Sequence, residues 1–213
     1  MTKKKQMLQA DHISIRFGEE RVLERFSCHI EQGAFACVMG ASGCGKTSLL
    51  KAFLGLAPLT EGFIRVGEYV LGESTCSAIR KQVAYLPQDL ALPYDTVSEA
   101  VAHLLRIGVL RYDSRVRSLL VENLEKLGLD EELLEKRMVE LSGGQRQRLM
   151  LAALALLNRD VWLLDEPTAA LDRASRDYVI AFLIEQQGKG KTIVAVSHDM
   201  WFASQCSVTI HLG

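Results

Sequence analysis

Two stretches near the start of the chain, Leu8 to Phe17 and Val22 to Ile30, alternate apolar and polar side chains with a period near two, and Gly18-Glu19-Glu20 lies between them. Successive side chains of a strand point to opposite faces, so this alternation around a turn predicts an antiparallel hairpin. Ala34 to Met39 is instead a short continuous apolar run, the pattern of a strand covered on both faces. A glycine-rich stretch follows it directly. From Lys46 to Leu56 the spacing turns helical, ending near Gly55 and Pro58, and Phe63 to Val66 and Val83 to Leu86 are two short strand candidates.

Between Thr96 and Glu135 apolar residues recur at three- and four-residue intervals, which predicts a helical lobe. Ser142 to Leu157 begins another helix. Val161 to Leu164 is a second buried strand, closed by Asp165 and Glu166. A helix from Arg173 to Gln187, a strand from Thr192 to Val196, a helix after His198 and a last strand from Val208 to Leu212 complete the series. Strands alternating with helices imply an α/β fold on a mainly parallel sheet, with ligands at the carboxyl ends of its strands.

A length of 213 residues suits one large α/β unit with a smaller lobe folded into it. Residues 1–87 and 158–213 are expected to form the catalytic core with its antiparallel part, and residues 88–157 the helical subdomain, within a single domain spanning 1–213. The net charge of −1 gives no overall field for nucleic acid, so none is expected as a partner. Five scattered cysteines without a C-x-x-C pair fit a reducing compartment. Lys3, Lys4 and Lys5 read as a solvated tail, because alternation and charge follow where a signal peptide would need an apolar core. The longest apolar stretch, Leu149 to Leu157, is about half the ~20 residues a membrane-spanning helix needs. Any membrane crossing is expected from another chain.

The chemistry starts at Gly40-Ala41-Ser42-Gly43-Cys44-Gly45-Lys46-Thr47, which fits the phosphate-loop pattern G-x-x-x-x-G-K-S/T. Glycines let successive backbone N–H groups turn inward around phosphate oxygens, and the positive end of the next helix adds to the attraction. Lys46 neutralises β/γ charge and Thr47 offers a hydroxyl to Mg²⁺. Cys44 carries no assigned role for its thiol. Val161-Trp162-Leu163-Leu164-Asp165-Glu166 reads as an apolar strand fixing two carboxylates at its rim, although buried strands also end in acidic helix caps. Leu141-Ser142-Gly143-Gly144-Gln145 is physically a serine N-cap followed by two glycines, so the next helix begins with bare N–H groups and a hydroxyl turned toward an anion.

That last pentapeptide, lying between the glycine loop and the acidic strand, resembles the signature motif of the ABC ATPases, and the resemblance covers nearly the whole chain from about Leu8. It implies a P-loop NTPase core with an N-terminal antiparallel subdomain and an inserted helical subdomain, and an ATPase that uses ATP and Mg²⁺. It extends the nucleotide-binding set from Gly40 through Ser48, adds Ser142, Gly143, Gly144, Gln145 and Asp172, and makes Lys46, Gln88, Glu166 and His198 catalytic. Thr47, Gln88 and Asp165 are the implied Mg²⁺ residues, Glu166 the group that polarises the attacking water. Gln88 resembles the Q-loop glutamine, Ala170-Leu171-Asp172 the D-loop, and His198 the H-loop histidine. Phe17 resembles the aromatic that stacks on adenine, with a plain core residue as its competing reading. Two departures stand out: Ala153 replaces a common arginine, and Asn158-Arg159-Asp160 lacks the usual proline. Both are expected to alter helix packing and leave catalysis intact.

In such proteins each ATP lies between the loop of one subunit and the signature helix of another, so the resemblance implies a head-to-tail dimer, an integral membrane permease as a separate chain, and a place on the inner face of the membrane. No C-terminal regulatory domain is expected after the final strand. An envelope-remodelling ABC machine is an alternative with nearly the same cassette. DNA-repair and ribosome-associated ABC proteins fit less well, since the first insert a long coiled coil and the second usually carry two cassettes. A P-loop kinase or GTPase leaves Leu141 to Gln145 unexplained and would lack an N-K-x-D motif here.

Overall fold

In a computed structural model, described for residues 5–89, 93–108 and 111–212, the chain forms two sheets and a cluster of helices. Lys3 and Lys4 of the expected tail lie outside the described residues, as do Val109 and Leu110 of the expected lobe. Strands β1 (Gln6–Phe17) and β2 (Glu20–Glu31) make the expected hairpin, joined on the other side of β1 by β4 (Leu59–Val66), which in turn pairs with β5 (Tyr69–Val70). All pairs in this sheet are antiparallel. The β1–β2 register shifts between Ala10 and Ile13, where His12 has φ of 47° and Arg25 on β2 has φ of 46°. Two left-handed residues on neighbouring strands sharpen the twist of the hairpin.

The second sheet is parallel and runs β6 (Val83–Leu86), β7 (Val161–Asp165), β8 (Thr192–Val196), β3 (Phe35–Met39), β9 (Val208–His211). Every residue of β3, β7 and β8 is buried, which the continuous apolar runs require. Their side chains alternate between two cores. Cys37, Met39, Trp162, Leu164, Ile193 and Ala195 pack with the helices, whereas Ala36, Val38, Val161, Leu163, Val194 and Val196 pack with the antiparallel sheet and α1 (Lys46–Phe53).

Helix α3 (Val97–Ile107) buries Val97, Ala100, Val101 and Leu105 at helical spacing and starts on a capping box in which Thr96 and Glu99 satisfy each other's backbone N–H. Helix α4 (Ser114–Lys126) begins at Asp113, whose side chain accepts from Val116 N, and buries Leu120 and Leu124. Helix α5 (Gly143–Leu156) starts with polar residues but is apolar all round from Leu149, as suits a helix packed against α3, α4 and the sheet; Leu149 to Leu154 are all buried. Truncating one of these leucines to alanine would cost about 2–5 kcal/mol. The other α-helices among the described residues are α2 (Cys76–Gln82), α6 (Arg173–Gly188) and α7 (Met200–Ser204), and Glu131–Glu135 and Met138–Glu140 form two 3-10 turns. Ala153, the first departure noted above, is fully buried in this packing.

Candidate functional site

Strands β3, β6, β7 and β8 run in one direction, so the segments leaving their carboxyl ends meet at one rim of the sheet. These segments are the glycine loop after β3, Gln88 after β6, Glu166 after β7 and His198 after β8. They line a cleft of about 790 Å³ together with Phe17 and Val22 from the hairpin. That is within the usual range for a small-molecule site.

The loop has the conformation phosphate binding demands. Gly43 and Gly45 have φ of 81° and 98°, values that side chains rarely tolerate. A Cβ on Gly45 would also stand 2.8 Å from Val22 Cγ1, so the hairpin's close approach to the loop excludes any larger residue there. Lys46 is buried, and its Nζ donates to the carbonyls of Gly40 at 2.9 Å and Ala41 at 2.8 Å. The ammonium thus spans the loop mouth and closes it on itself. Of the residues from Gly40 to Ser48, all but Cys44 border the cleft. Cys44 turns inward, packing against the core of the antiparallel sheet.

At the end of β7, Asp165 is 1% exposed and its Oδ1 has no hydrogen-bond partner among the described residues. Burial raises its carboxyl above the ordinary range, and the Thr47 hydroxyl beside it and the Lys51 and Lys46 ammoniums oppose that rise. Tyr85 on β6, pushed up to about 12 by burial and by the Asp165 charge, stays a neutral phenol. An unpartnered oxygen on a buried acid next to a threonine hydroxyl fits a hard divalent cation such as Mg²⁺. Gln88 is exposed at the same cleft and brings an amide oxygen.

Glu166 adopts φ of 50°, unusual for a residue with a side chain. Its N–H donates to Val196 O at 3.0 Å, so the main chain continues along β8 for one more step. Its Oε1 meets His198 Nδ1 at 2.9 Å, with the histidine side chain 71% exposed toward the cleft and the glutamate 10% exposed. Phe17 is 47% exposed at the other end of the cleft, so it is a surface aromatic and not a core residue.

Ser142, Gly143, Gly144, Gln145 and Asp172 lie elsewhere. Ser142 Oγ accepts from Gln145 N at 3.1 Å while Gln145 Oε1 accepts from Ser142 N at 2.9 Å, a reciprocal cap at the start of α5. Ser142 and Gly143 are exposed. Asp172 caps α6, accepting from Ser175 N at 2.8 Å, and the hydrogen bonds from Ser175 hold its carboxyl below the ordinary range. A Cβ on Gly144 would stand 2.8 Å from Leu171 Cδ2, so the capped helix and the 170–172 segment press together. Among the described residues the glycine loop, the acidic strand end and His198 thus share a cleft, and the capped helix lies apart from it. Some residues at or near the cleft escape a sequence reading. Glu20 and Val22 border it from the start of β2 and Val196 from the end of β8, and Gln147 is a buried polar residue on α5.

A glycine loop after a central parallel strand, a lysine at the first helical position and an acidic strand end on the same rim define a P-loop nucleotide triphosphatase. The profile of the family described as "ABC transporter" matches residues 23–169. The zinc transport system ATP-binding protein TroB of Treponema pallidum is 32% identical over 199 residues, covering 91% of this chain and 73% of TroB. The taurine import ATP-binding protein TauB of Escherichia coli O157:H7 is 35% identical over 197 residues, covering 91% and 74%. The dimeric structure of MJ0796, a bacterial ABC transporter cassette, superposes with a TM-score of 0.86 at 28% identity, covering 97% of this chain and 94% of MJ0796. The chain belongs to the ABC transporter family, and within it to the ATP-binding subunits that hydrolyse ATP.

Proposed function

We propose that this chain is the motor of a membrane transporter, working as a head-to-tail pair of ATPase subunits that drives a separate membrane-embedded permease. The observation that carries the reading is the split of the anion-binding parts. The loop, the acidic strand end and His198 share one cleft, whereas Ser142 to Gln145 do not line it and Ser142 and Gly143 are exposed. A capped helix N-terminus with exposed glycines attracts an anion that its own chain does not deliver. A triphosphate held by the loop of a second copy would supply it. A cassette fold also recorded as a dimer, in MJ0796, supports the pairing.

In this reading Phe17 stacks on adenine and the backbone from Gly40 to Ser48 surrounds the phosphates. Lys46 leaves the Gly40 and Ala41 carbonyls for the β/γ oxygens, and Ser142, Gly143, Gly144 and Gln145 close on the γ-phosphate from the partner side. Ala170 and Leu171, just before Asp172, pack against that helix, and Asp172 belongs to the segment that couples the two sites. Thr47, Asp165 and Gln88 would hold Mg²⁺, which neutralises the phosphate charge when bound. Glu166 takes the proton from a water whose oxygen attacks the γ-phosphorus as the bond to the ADP oxygen breaks, and His198 orients Glu166 and the γ-phosphate. Loss of the γ-phosphate weakens the bridge and the pair opens.

No helix among the described residues is long and apolar enough to cross a membrane. In this reading the chain sits on the inner face of the membrane, held there by its permease. TroB and TauB are named for zinc and taurine, unlike cargoes, at 32% and 35% identity to this chain, which supports a cassette that carries the motor and leaves cargo choice to the partner. The test is Glu166→Gln. It is expected to bind ATP, to release phosphate at least about 100-fold more slowly, and to elute as a dimer with ATP on gel filtration. Undiminished hydrolysis, or a monomer under those conditions, overturns the reading.

A further inference from the structure

The backbone of Glu166 is held from three sides. Its N–H donates to Val196 O on β8, and its carbonyl accepts from Ala169 N at 3.2 Å in the following turn and from Gln147 Nε2 at 2.8 Å. Gln147 is the contributor from α5, and thus from the helix that Ser142 caps. Its side chain is only 5% exposed, and its Oε1 is buried with no partner among the described residues. The amide can take one orientation, since turning it over would set Oε1 against the Glu166 carbonyl oxygen.

A buried amide with an unpartnered acceptor is a liability for stability. A leucine of similar size would remove that cost and leave the carbonyl still paired with Ala169. The neighbouring positions on α5, Leu149 to Leu154, are indeed apolar and buried. What the amide provides is a rigid tie between α5 and a residue in the left-handed region, a conformation that costs an ordinary side chain about 1–3 kcal/mol and persists only where its surroundings fix it. Losing the Gln147 bond leaves the carbonyl on the longer bond from Ala169 alone, and this looser hold lets Glu166 drift toward the common basins, moving its carboxylate away from His198.

We infer that Gln147 is a positioning residue for ATP hydrolysis: its amide gears the capped helix to the backbone of Glu166, so that closure of that helix on a triphosphate sets the carboxylate in its attacking geometry. The inference rests on Glu166 activating the water, as proposed above, and adds a route within one chain from the outward-facing helix to the cleft.

Gln147→Leu separates positioning from structure, because the two predict opposite pairings of effects. The purified variant is expected to melt at or above the wild-type temperature and to bind ATP within twofold of wild type. Its phosphate release is expected to fall tenfold or more. Gln147→Glu gives a second readout. Burial keeps the introduced acid protonated at low pH, where its O–H can donate to the Glu166 carbonyl. Its activity relative to wild type is expected to drop as pH rises, whereas the ratio for Gln147→Leu stays flat. A turnover within threefold of wild type for Gln147→Leu overturns the inference, as does a loss matched by falling melting temperature or ATP affinity. If the leucine variant does not fold, a pH-independent ratio for Gln147→Glu overturns it. Should Glu166→Gln abolish hydrolysis while Gln147→Leu retains it, only the positioning role falls; an active Glu166→Gln removes the reading beneath it.

Discussion

Replacing Asp165 by asparagine is expected to make the nucleotide-free protein more stable and a poorer ATPase. The carboxylate closes an entirely buried strand, is 1% exposed, and has an Oδ1 with no partner among the described residues. Burial followed by the neighbouring Glu166 charge disfavours its ionised form, with Thr47, Lys51 and Lys46 compensating in part. Asparagine leaves a buried polar atom in the same place but removes its charge; the charge adds roughly 2–3 kcal/mol to the cost of burial, whereas the Thr47 contact to a neutral amide is worth roughly 1 kcal/mol less than to a carboxylate. The balance is a gain of about 1–2 kcal/mol. In a domain of this size each kcal/mol moves the midpoint by about 2–4 °C, so the variant is expected to melt about 2–8 °C higher. The assay is differential scanning calorimetry in a chelator without nucleotide, repeated with saturating Mg²⁺ and ATP. A ligand at one hundred times its Kd adds about 2.7 kcal/mol to whatever binds it, so wild type is expected to gain more and to close or reverse the gap. A variant that melts below wild type in the chelator would falsify the claim that this carboxylate is held in readiness for a cation.

Phe17→Ala is expected to leave the melting temperature unchanged, since the ring is half exposed, and to weaken ATP binding by about 1–3 kcal/mol, the value of a base stacked on an aromatic ring. Inorganic triphosphate should bind both forms alike; an equal loss for triphosphate would refute stacking. Glu185, which bonds Lys126 at 2.6 Å and Lys189 at 2.7 Å, has its carboxyl held below the ordinary range by those hydrogen bonds. A lowered value means the contribution is present above the unfolded-state value and lost as pH falls through the folded-state one. Glu185→Gln is therefore expected to cost less than about 1 kcal/mol near neutrality, with the difference from wild type vanishing in acid and shrinking in salt; a cost that persists in acid would point to packing instead.

The candidate site's parts were legible because each is local. A phosphate loop needs its glycines and lysine within eight consecutive positions, and an acidic strand end needs only an apolar run before it, so Gly40 to Thr47 and Val161 to Glu166 speak for themselves. The buried strands were equally plain, and Thr192 to Val196 has the extent its pattern predicts. Elements without a core-facing pattern were not. Tyr69 and Val70 are exposed and form β5 only by pairing with the end of β4, and α2 buries a single residue, Ile79, too few to show a period. Helix α1 stops at Phe53, short of the expected Leu56, because Gly55 turns left-handed and Leu56 N returns to Lys51 O, closing the helix end. Gln147 was invisible for a different reason. Its partner is 19 positions away on another element, and a glutamine following Leu141 to Gln145 and Arg146 looks like one more polar residue at a helix start. That Ser142 stands apart from its own chain's cleft followed only from the family resemblance, since nothing local in Leu141 to Gln145 says which nucleotide it faces.

Side chains of the parallel sheet alternate between two cores, and this makes the sheet a partition with a different tenant on each side. Cys37 and Val38 are consecutive, yet the first touches the helices and the second the hairpin and the helix behind the glycine loop. A substitution one position along thus addresses another half of the molecule. Nucleotide grip and the posture of the lobe are tunable independently, by single-methylene changes at adjacent sites that never touch the cleft.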